Sequence, residues 1–159
     1  MLLYHGSNME IQIPKIIVSN RSLDFGTGFY TTSDYQQAKK WAVLTKERNG
    51  EGAAVVTEYE FDESLMSEYK VLKFKKPDYE WLRFVRDCRK EIITGNEYDL
   101  IIGPVADDRT FEVISFYFEG VYDEDEALKR LLPMKLKDQY TFKNSSVLET
   151  LKFRRRVFV

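Results

Sequence analysis

The sequence predicts an α+β domain whose strands pair mainly in antiparallel fashion. Segments of strand type and helical segments are interspersed without the regular strand–helix–strand alternation that builds a parallel sheet. The length of 159 residues suits one hydrophobic core and leaves no room for a second domain of similar size. We therefore expect one domain over residues 1–159.

Composition and charge narrow the class of protein. A content of 43% hydrophobic, 14% aromatic and 31% charged residues is typical of a soluble globular protein, and a net charge of −2 gives no overall attraction to nucleic acid. The N-terminus, MLLYHGSNMEI, lacks a basic region and a long apolar run, and no later segment is long enough to span a bilayer, so we expect a cytoplasmic protein. The single histidine and single cysteine exclude a disulfide framework and a Cys/His zinc site.

The first quarter of the chain predicts a strand, a loop and a helix. Residues 2–4 form a short apolar strand, and residues 8–24 form a loop with a short strand or turn around 11–18. Ser33 and Gln36 have the spacing of a capping box, which predicts a helix that ends near residues 49–50. The apolar stripe of this helix consists of Ala38, Trp41, Ala42 and Leu44.

The middle of the chain predicts three more strands and a second helix. Strands are expected over residues 53–61, 70–74 and 98–102, the last followed by the loop GPVADDR. A helix should open at Pro77 and end at Gly95. Its apolar face carries Trp81, Val85, Cys88 and Ile92, so we interpret Cys88 as a buried structural thiol.

The C-terminal third predicts a helix, a strand, a short helix and a basic tail. Residues 123–131 carry acids first and bases last, as the helix dipole favours, and a strand over 139–143 precedes a helix over 145–151. In the tail, Phe153, Val157 and Val159 should face inward. The arginines between them are solvated or ion-paired, or contact a phosphate: Arg154, Arg155 and Arg156.

Two short motifs contain the residues best suited to bind a ligand. His5 stands at a strand end beside Gly6, where glycine permits close backbone approach and imidazole can bond a hydroxyl; a histidine that only bonds a neighbour is the alternative. Gly26 and Gly28 flank a turn that can present Tyr30 over a pocket, although a tyrosine in a core is the commoner outcome.

Taken in order, HGS, DFGTGFYTT and the helix SDYQQAKKWA resemble the signature of the ADP-ribosyltransferase superfamily, in its diphtheria-toxin and poly-ADP-ribose polymerase-like branch. The resemblance implies split antiparallel sheets with flanking helices and NAD as the substrate. In this branch a histidine followed by glycine supports the nicotinamide-side ribose and amide, and a tyrosine stacks on the nicotinamide ring. By resemblance, His5 and Gly6 take the first role and Tyr30 the second. We expect the NAD-binding set to include these three with Ser7, Gly28, Phe29 and Tyr35, and Tyr35 is either a second wall or the first exposed residue of the helix.

A tighter resemblance covers residues 2–153. GFYTT, YDLIIGPVADDR and DQYTFKNSSVLETLKF look like a prokaryotic family of short uncharacterised proteins grouped with ADP-ribosyltransferase-like toxins and often encoded beside small antitoxin partners. It implies a toxin-type enzyme with a small antitoxin partner. It also implies that residues 109–131 form two consecutive short helices.

The superfamily's third motif is a glutamate on a late strand, and by resemblance that position holds Gln139. Glutamine can bond a ribose hydroxyl but cannot offset an oxocarbenium charge, and such a loss costs on the order of 10²–10³ in rate.

Asp138 should point to the opposite face of the strand. The other carboxylates that could substitute are Asp107, Asp108, Glu112 and Glu119. Asp107, Asp108 and Arg109 either lie at the pocket rim or make an ordinary turn.

Three functions fit these residues. The leading hypothesis is NAD-dependent ADP-ribosyl transfer to a macromolecular acceptor, with His5, Tyr30 and Gln139 at the reacting centre. The alternative is a binding module for NAD, an ADP-ribose-like ligand or a partner protein, which the glutamine motivates. NAD hydrolysis or action on a phosphorylated RNA end is third, and the RNA version is disfavoured because the sequence shows no basic pocket signature.

Overall fold

The computed structural model describes residues 1–18, 20–107 and 109–159, and its strands form two sheets. The first sheet has the order β1 (Leu2–Ser7), β3 (Val55–Glu60), β7 (Lys152–Phe158). The second has the order β2 (Phe29–Thr31), β6 (Asp138–Phe142), β5 (Leu100–Pro104), β4 (Val71–Lys73). The predicted α+β class is therefore confirmed.

Among the described residues the pairing is antiparallel everywhere except between β4 and β5. In the second sheet, Gln139 of β6 lies opposite Gly103 of β5, and Tyr30 of β2 lies opposite Thr141 of β6. An isolated bridge between Tyr4 and Thr32 links the two sheets. The ends of β1, β2 and β6 are thereby brought close together.

The helices are α1 (Tyr35–Asn49), α2 (Tyr79–Arg89), α3 (Phe111–Phe118), α4 (Glu124–Leu131) and α5 (Ser145–Leu148), with 3₁₀ turns at Glu63–Glu68 and Leu132–Met134. The two short helices expected within residues 109–131 are therefore present. Within the described ranges, no helix is both long and apolar enough to cross a membrane.

The start of α1 differs from the predicted capping box. The cap is Asp34, whose carboxylate accepts from the Gln37 amide at 2.9 Å. Ser33 instead lies before the cap, where its hydroxyl and amide both donate to Asp138, at 2.5 and 2.9 Å. A tertiary contact therefore moves the helix start by one residue.

One other boundary was predicted wrongly. The helix after Pro77 stops at Arg89, and Glu91 adopts a left-handed φ of 58°, so Ile92 turns outward and is 66% exposed. Of the short strand or turn expected around residues 11–18, no strand forms over the described residues, and the chain bends at Gln12 and Ile13. Instead the Ile11 amide donates to Thr57 Oγ1 at 3.3 Å, and its carbonyl accepts from the Tyr59 hydroxyl.

The buried apolar side chains of the described residues form three clusters. One cluster packs α2, α3 and α4 against the second sheet, and a second, around Leu3, Tyr59 and Phe142, fills the space between the sheets. The third joins α1 to the first sheet. A Cβ on Gly6 would lie 2.0 Å from the Ala38 carbonyl oxygen, so glycine permits the close approach of β1 and α1 that positions His5.

Candidate functional site

A cleft of about 610 Å³ opens beside the ends of β1 and β6. Its volume is in the usual range of small-molecule sites. Three predicted residues, His5, Tyr30 and Gln139, line it together, although they come from strands far apart in the sequence. A second concavity of about 480 Å³ surrounds Met1 and Tyr69 and contains none of the predicted site residues.

His5 enters the cleft from β1 with a fixed tautomer. Its Nδ1 lies 2.7 Å from the Tyr30 carbonyl oxygen, and its ring stacks on Phe29 with centroids 4.3 Å apart. Burial lowers the pKa of His5, so the imidazole is neutral near pH 7. Because a carbonyl can only accept, Nδ1 carries the proton, and Nε2 is left as an acceptor for a ligand hydroxyl.

Tyr30 lines the cleft and packs partly against the first hydrophobic cluster, and its hydroxyl is already bonded. The hydroxyl donates to the Gly26 carbonyl at 2.6 Å and accepts from the Phe25 amide at 3.1 Å. Burial raises the pKa of Tyr30 well above its usual value, so the phenol stays neutral. An aromatic face without an available hydroxyl suits stacking on a flat ligand.

The turn before Tyr30 is held from behind by Lys143, which the sequence did not reveal. The buried Lys143 Nζ donates to the carbonyls of Phe25, Thr27 and Thr94, at 2.6, 2.5 and 3.1 Å. Burial lowers the pKa of Lys143 to about 8. The turn also packs tightly on β6, because a Cβ on Gly28 would lie 2.6 Å from Thr141 Cγ2.

Gln139 belongs to a buried polar network at the cleft floor. Its Nε2 donates to Asp24 Oδ2 at 3.0 Å and lies 3.3 Å from the Pro104 carbonyl. Asp24 Oδ1 accepts from Arg89 Nε and Nη2 at 2.8 and 2.5 Å, and Oδ2 also accepts from the Ala106 amide at 2.8 Å. We call residues 24–30, with Gln139 and Lys143 behind them, the clamped wall.

Sequence reasoning missed both ion-pair partners in this network. Asp24 lies two residues before the GTGFY motif, within the segment DFGTGFYTT, and this proximity was the available signal. Arg89 lies in the last turn of α2, and no spacing in the sequence connects it to residue 24. Only the tertiary fold brings the two side chains together.

The carboxylates proposed as substitutes for a catalytic glutamate lie in different places. Asp138 points away from the cleft, as the strand alternation predicted, and bonds Ser33 and Thr32. Asp107 and Arg109 line the cleft and pair with each other at 2.8 Å. Asp108 lies outside the described residues. Glu112 and Glu119, on and just after α3, are not among the lining residues.

The remaining residues of the predicted NAD-binding set divide into two groups. Gly6 lines the cleft, whereas Ser7, Gly28 and Phe29 are not among its lining residues. Tyr35 is not brought to the cleft either, because its ring packs edge-on against Tyr4 at 5.4 Å. The aromatic ring that α1 presents there belongs to Trp41.

Trp41 and Leu44 were expected on the buried stripe of α1, and this expectation is wrong. The two alanines of the stripe are fully buried, because β1 approaches the helix too closely for larger side chains, whereas Trp41 and Leu44 face the cleft. Four residues at spacings of one, three and four define this surface, which we call the α1 wall: Lys40, Trp41, Leu44 and Arg48.

The described lining residues also form a basic site that the sequence did not indicate. They include six cations (Arg21, Lys40, Arg48, Arg89, Arg109, Lys137) and three carboxylates (Asp24, Asp34, Asp107). Each carboxylate pairs with a cation, Asp34 with Lys137 at 2.8 Å. Partial burial and the nearby charge of Arg21 lower the pKa of Arg48. The absence of a basic pocket signature was therefore a wrong expectation, because the cations come from separate segments.

The other singled-out residues lie elsewhere. Cys88 is buried, and burial raises the pKa of its thiol to about 12, as a structural cysteine requires. Arg154 and Arg155 pair with Glu58, and Arg156 pairs with Glu10. Within the ranges the structure describes, no group of His, Cys, Asp or Glu side chains could hold a metal ion.

Comparison with known proteins gives one match. The model of a family described as "Protein of unknown function (DUF3990)" matches residues 1–153. Neither the curated proteins nor the solved structures include a match. The match covers nearly the whole chain, including His5, Tyr30 and Gln139.

Proposed function

We propose an NAD-dependent ADP-ribosyltransferase activity for this chain, which belongs to the family of proteins of unknown function DUF3990. One observation carries the proposal: His5, Tyr30 and Gln139 line a single cleft, with His5 fixed by the Tyr30 main chain. A transferase fold of the histidine–tyrosine class is part of the same proposal. The toxin role and the small antitoxin partner remain predictions from the resemblance.

The side chains suggest how NAD would be held. The Tyr30 ring stacks on the nicotinamide, and neutral His5 accepts a hydrogen bond from a ribose hydroxyl through Nε2. Gly6 also lines the cleft, where its main chain contacts the carboxamide. The nicotinamide departs with the electron pair of its glycosidic bond, and the acceptor attacks C1 of the ribosyl cation and loses its proton. Gln139 can form a hydrogen bond but carries no negative charge to stabilise the ribosyl cation, so transfer is slower than with a glutamate.

The test is an assay with labelled NAD on the purified protein and cell lysate. We expect nicotinamide release and transfer of label, with at least about a tenfold loss in His5→Ala, because the ribose contact disappears. Tyr35→Phe is the matched control, since this ring lies away from the cleft. An absence of transfer and of nicotinamide release, with His5→Ala equal to the wild type, would exclude the transferase.

A second candidate, a binding module without turnover, is favoured by the network at Gln139. Its amide donates to Asp24, and each carboxylate among the described lining residues is engaged by a cation. None of these carboxylates is therefore ready to stabilise a developing cation. Calorimetric titration with NAD, run beside the turnover assay, separates the two: tight binding without turnover favours the module, and no binding disfavours both.

A further inference from the structure

Trp41 is an aromatic residue without a partner in the described part of the chain. It is half-buried in the cleft lining, belongs to none of the three hydrophobic clusters, and its indole N–H donates to no described atom. Trp81, in contrast, is fully buried and donates to the Pro104 carbonyl at 2.9 Å. A large amphipathic ring left unpaired in a cleft points to a ligand that covers it.

The neighbours of Trp41 define what that ligand contains. Leu44 extends the apolar surface beside the indole, and Lys40 and Arg48 flank it on the same face of α1. Arg21 approaches Arg48 from the loop before the clamped wall, closely enough for its charge to affect the Arg48 guanidinium. Guanidinium groups beside an aromatic face suit a planar ring that carries phosphates.

We propose that the α1 wall is a subsite for a nucleobase bearing phosphate groups. The base stacks on Trp41 and Leu44, and the phosphates bond Arg48. The helical rise from residue 41 to 48 spans about 10 Å, which separates the base from the phosphate contact along one wall. This subsite rests on the proposed function: the adenosine diphosphate half of NAD lies on α1, and the nicotinamide half lies between His5 and Tyr30.

The contact between β1 and α1 supports this arrangement. Gly6, next to His5, touches the α1 backbone at Ala38 and Ala42, on either side of Trp41 in the sequence. The two proposed halves of the site therefore lie on elements packed directly against each other. A dinucleotide can reach both without a rearrangement of the fold.

Tryptophan fluorescence tests the subsite because the chain has only two tryptophans. We expect ADP to quench the wild type and leave Trp41→Phe unchanged, since Trp81 is buried. Trp41→Ala should weaken ADP binding about tenfold or more, as for other base–aromatic stacks. Arg48→Gln should weaken ADP more than adenosine, and Lys46→Gln, on the same helix outside the cleft, is the matched control.

The ligands distinguish the two proposals. Nicotinamide mononucleotide should bind wild type and Trp41→Ala equally. Equal ADP affinity in wild type and Trp41→Ala, both folded by circular dichroism, overturns the subsite even if NAD is turned over. ADP binding that depends on Trp41, without any binding or turnover of NAD, supports the subsite for free nucleotides and rejects the proposed function.

Discussion

The clamped wall and the α1 wall line the same cleft and are built in opposite ways. In the clamped wall, Lys143 bonds three carbonyls, Tyr30 bonds its own turn, and Asp24 accepts four hydrogen bonds. In the α1 wall, Trp41 packs in no cluster, and Lys40, Leu44 and Arg48 are exposed.

This difference indicates that the clamped wall fixes the shape of the cleft, whereas the α1 wall provides contacts to the ligand. A wall whose polar groups are mutually bonded holds its geometry before a ligand arrives, and thus reduces the ordering that binding requires. Trp41, in contrast, gains its contacts from the ligand. Substitutions in the first wall should therefore change stability, and substitutions in the second should change affinity.

Lys143→Met should have the largest effect. The change leaves the carbonyls of Phe25, Thr27 and Thr94 without their shared donor, and each buried unsatisfied group costs about 1–3 kcal/mol. Part of this cost is offset because methionine buries no charge. We expect a net loss of about 3 kcal/mol in the free energy of unfolding, measured with urea. Lys46→Met, on the exposed surface of α1, should change it by less than about 0.5 kcal/mol. Equal losses in the two variants would show that the turn does not depend on Lys143.

Gln139→Glu should cost less, and it tests the network rather than the turn. The amide that donates to Asp24 becomes a carboxylate facing a carboxylate in a buried site. We expect a loss of about 2 kcal/mol at pH 7. Because protonation of the introduced group restores a donor, the loss should shrink as the pH falls toward 4.

Gln139→Met provides the control for this prediction, since it removes the amide without adding charge. Its loss of stability should not depend on pH between 7 and 4. If Gln139→Glu behaves in the same way, the contact with Asp24 is not important in solution. Faster NAD cleavage in Gln139→Glu, despite lower stability, would support the alignment of this residue with the superfamily's glutamate.

The sequence predicted local features of the site better than its long-range contacts. His5, Gly6 and Tyr30 were identified from short motifs, whose residues are neighbours in the chain, although β1 runs through His5 to Ser7 instead of ending before it. The pairing of Asp24 with Arg89, and the reach of Lys143 to the turn, depend on how the sheets and α2 pack. Hydrophobic periodicity also placed Trp41 in the core, because it cannot distinguish a helix face that meets a sheet from one that borders a cleft.

The pH dependence of stability should report Lys143 directly. Its pKa in the folded protein, about 8, lies below the ordinary value of 10.5, so the unfolded chain binds more protons between these pH values. Stability must then rise with pH in this window, by about 1 kcal/mol per pH unit. The measurement is the free energy of unfolding of wild type minus that of Lys143→Met from pH 7.5 to 9.5. A flat or falling difference would mean that the ammonium is not desolvated.

Arg48→Gln should have the smallest effect on the folded protein. The guanidinium is at the surface of α1, arginine and glutamine have similar helix propensity, and removal of one of two neighbouring like charges relieves a repulsion. We expect the free energy of unfolding to change by less than about 0.5 kcal/mol, in either direction. A loss above about 1 kcal/mol would show that Arg48 stabilises the fold. Both walls would then be stabilised by contacts within the protein, and the proposed difference between them would be wrong.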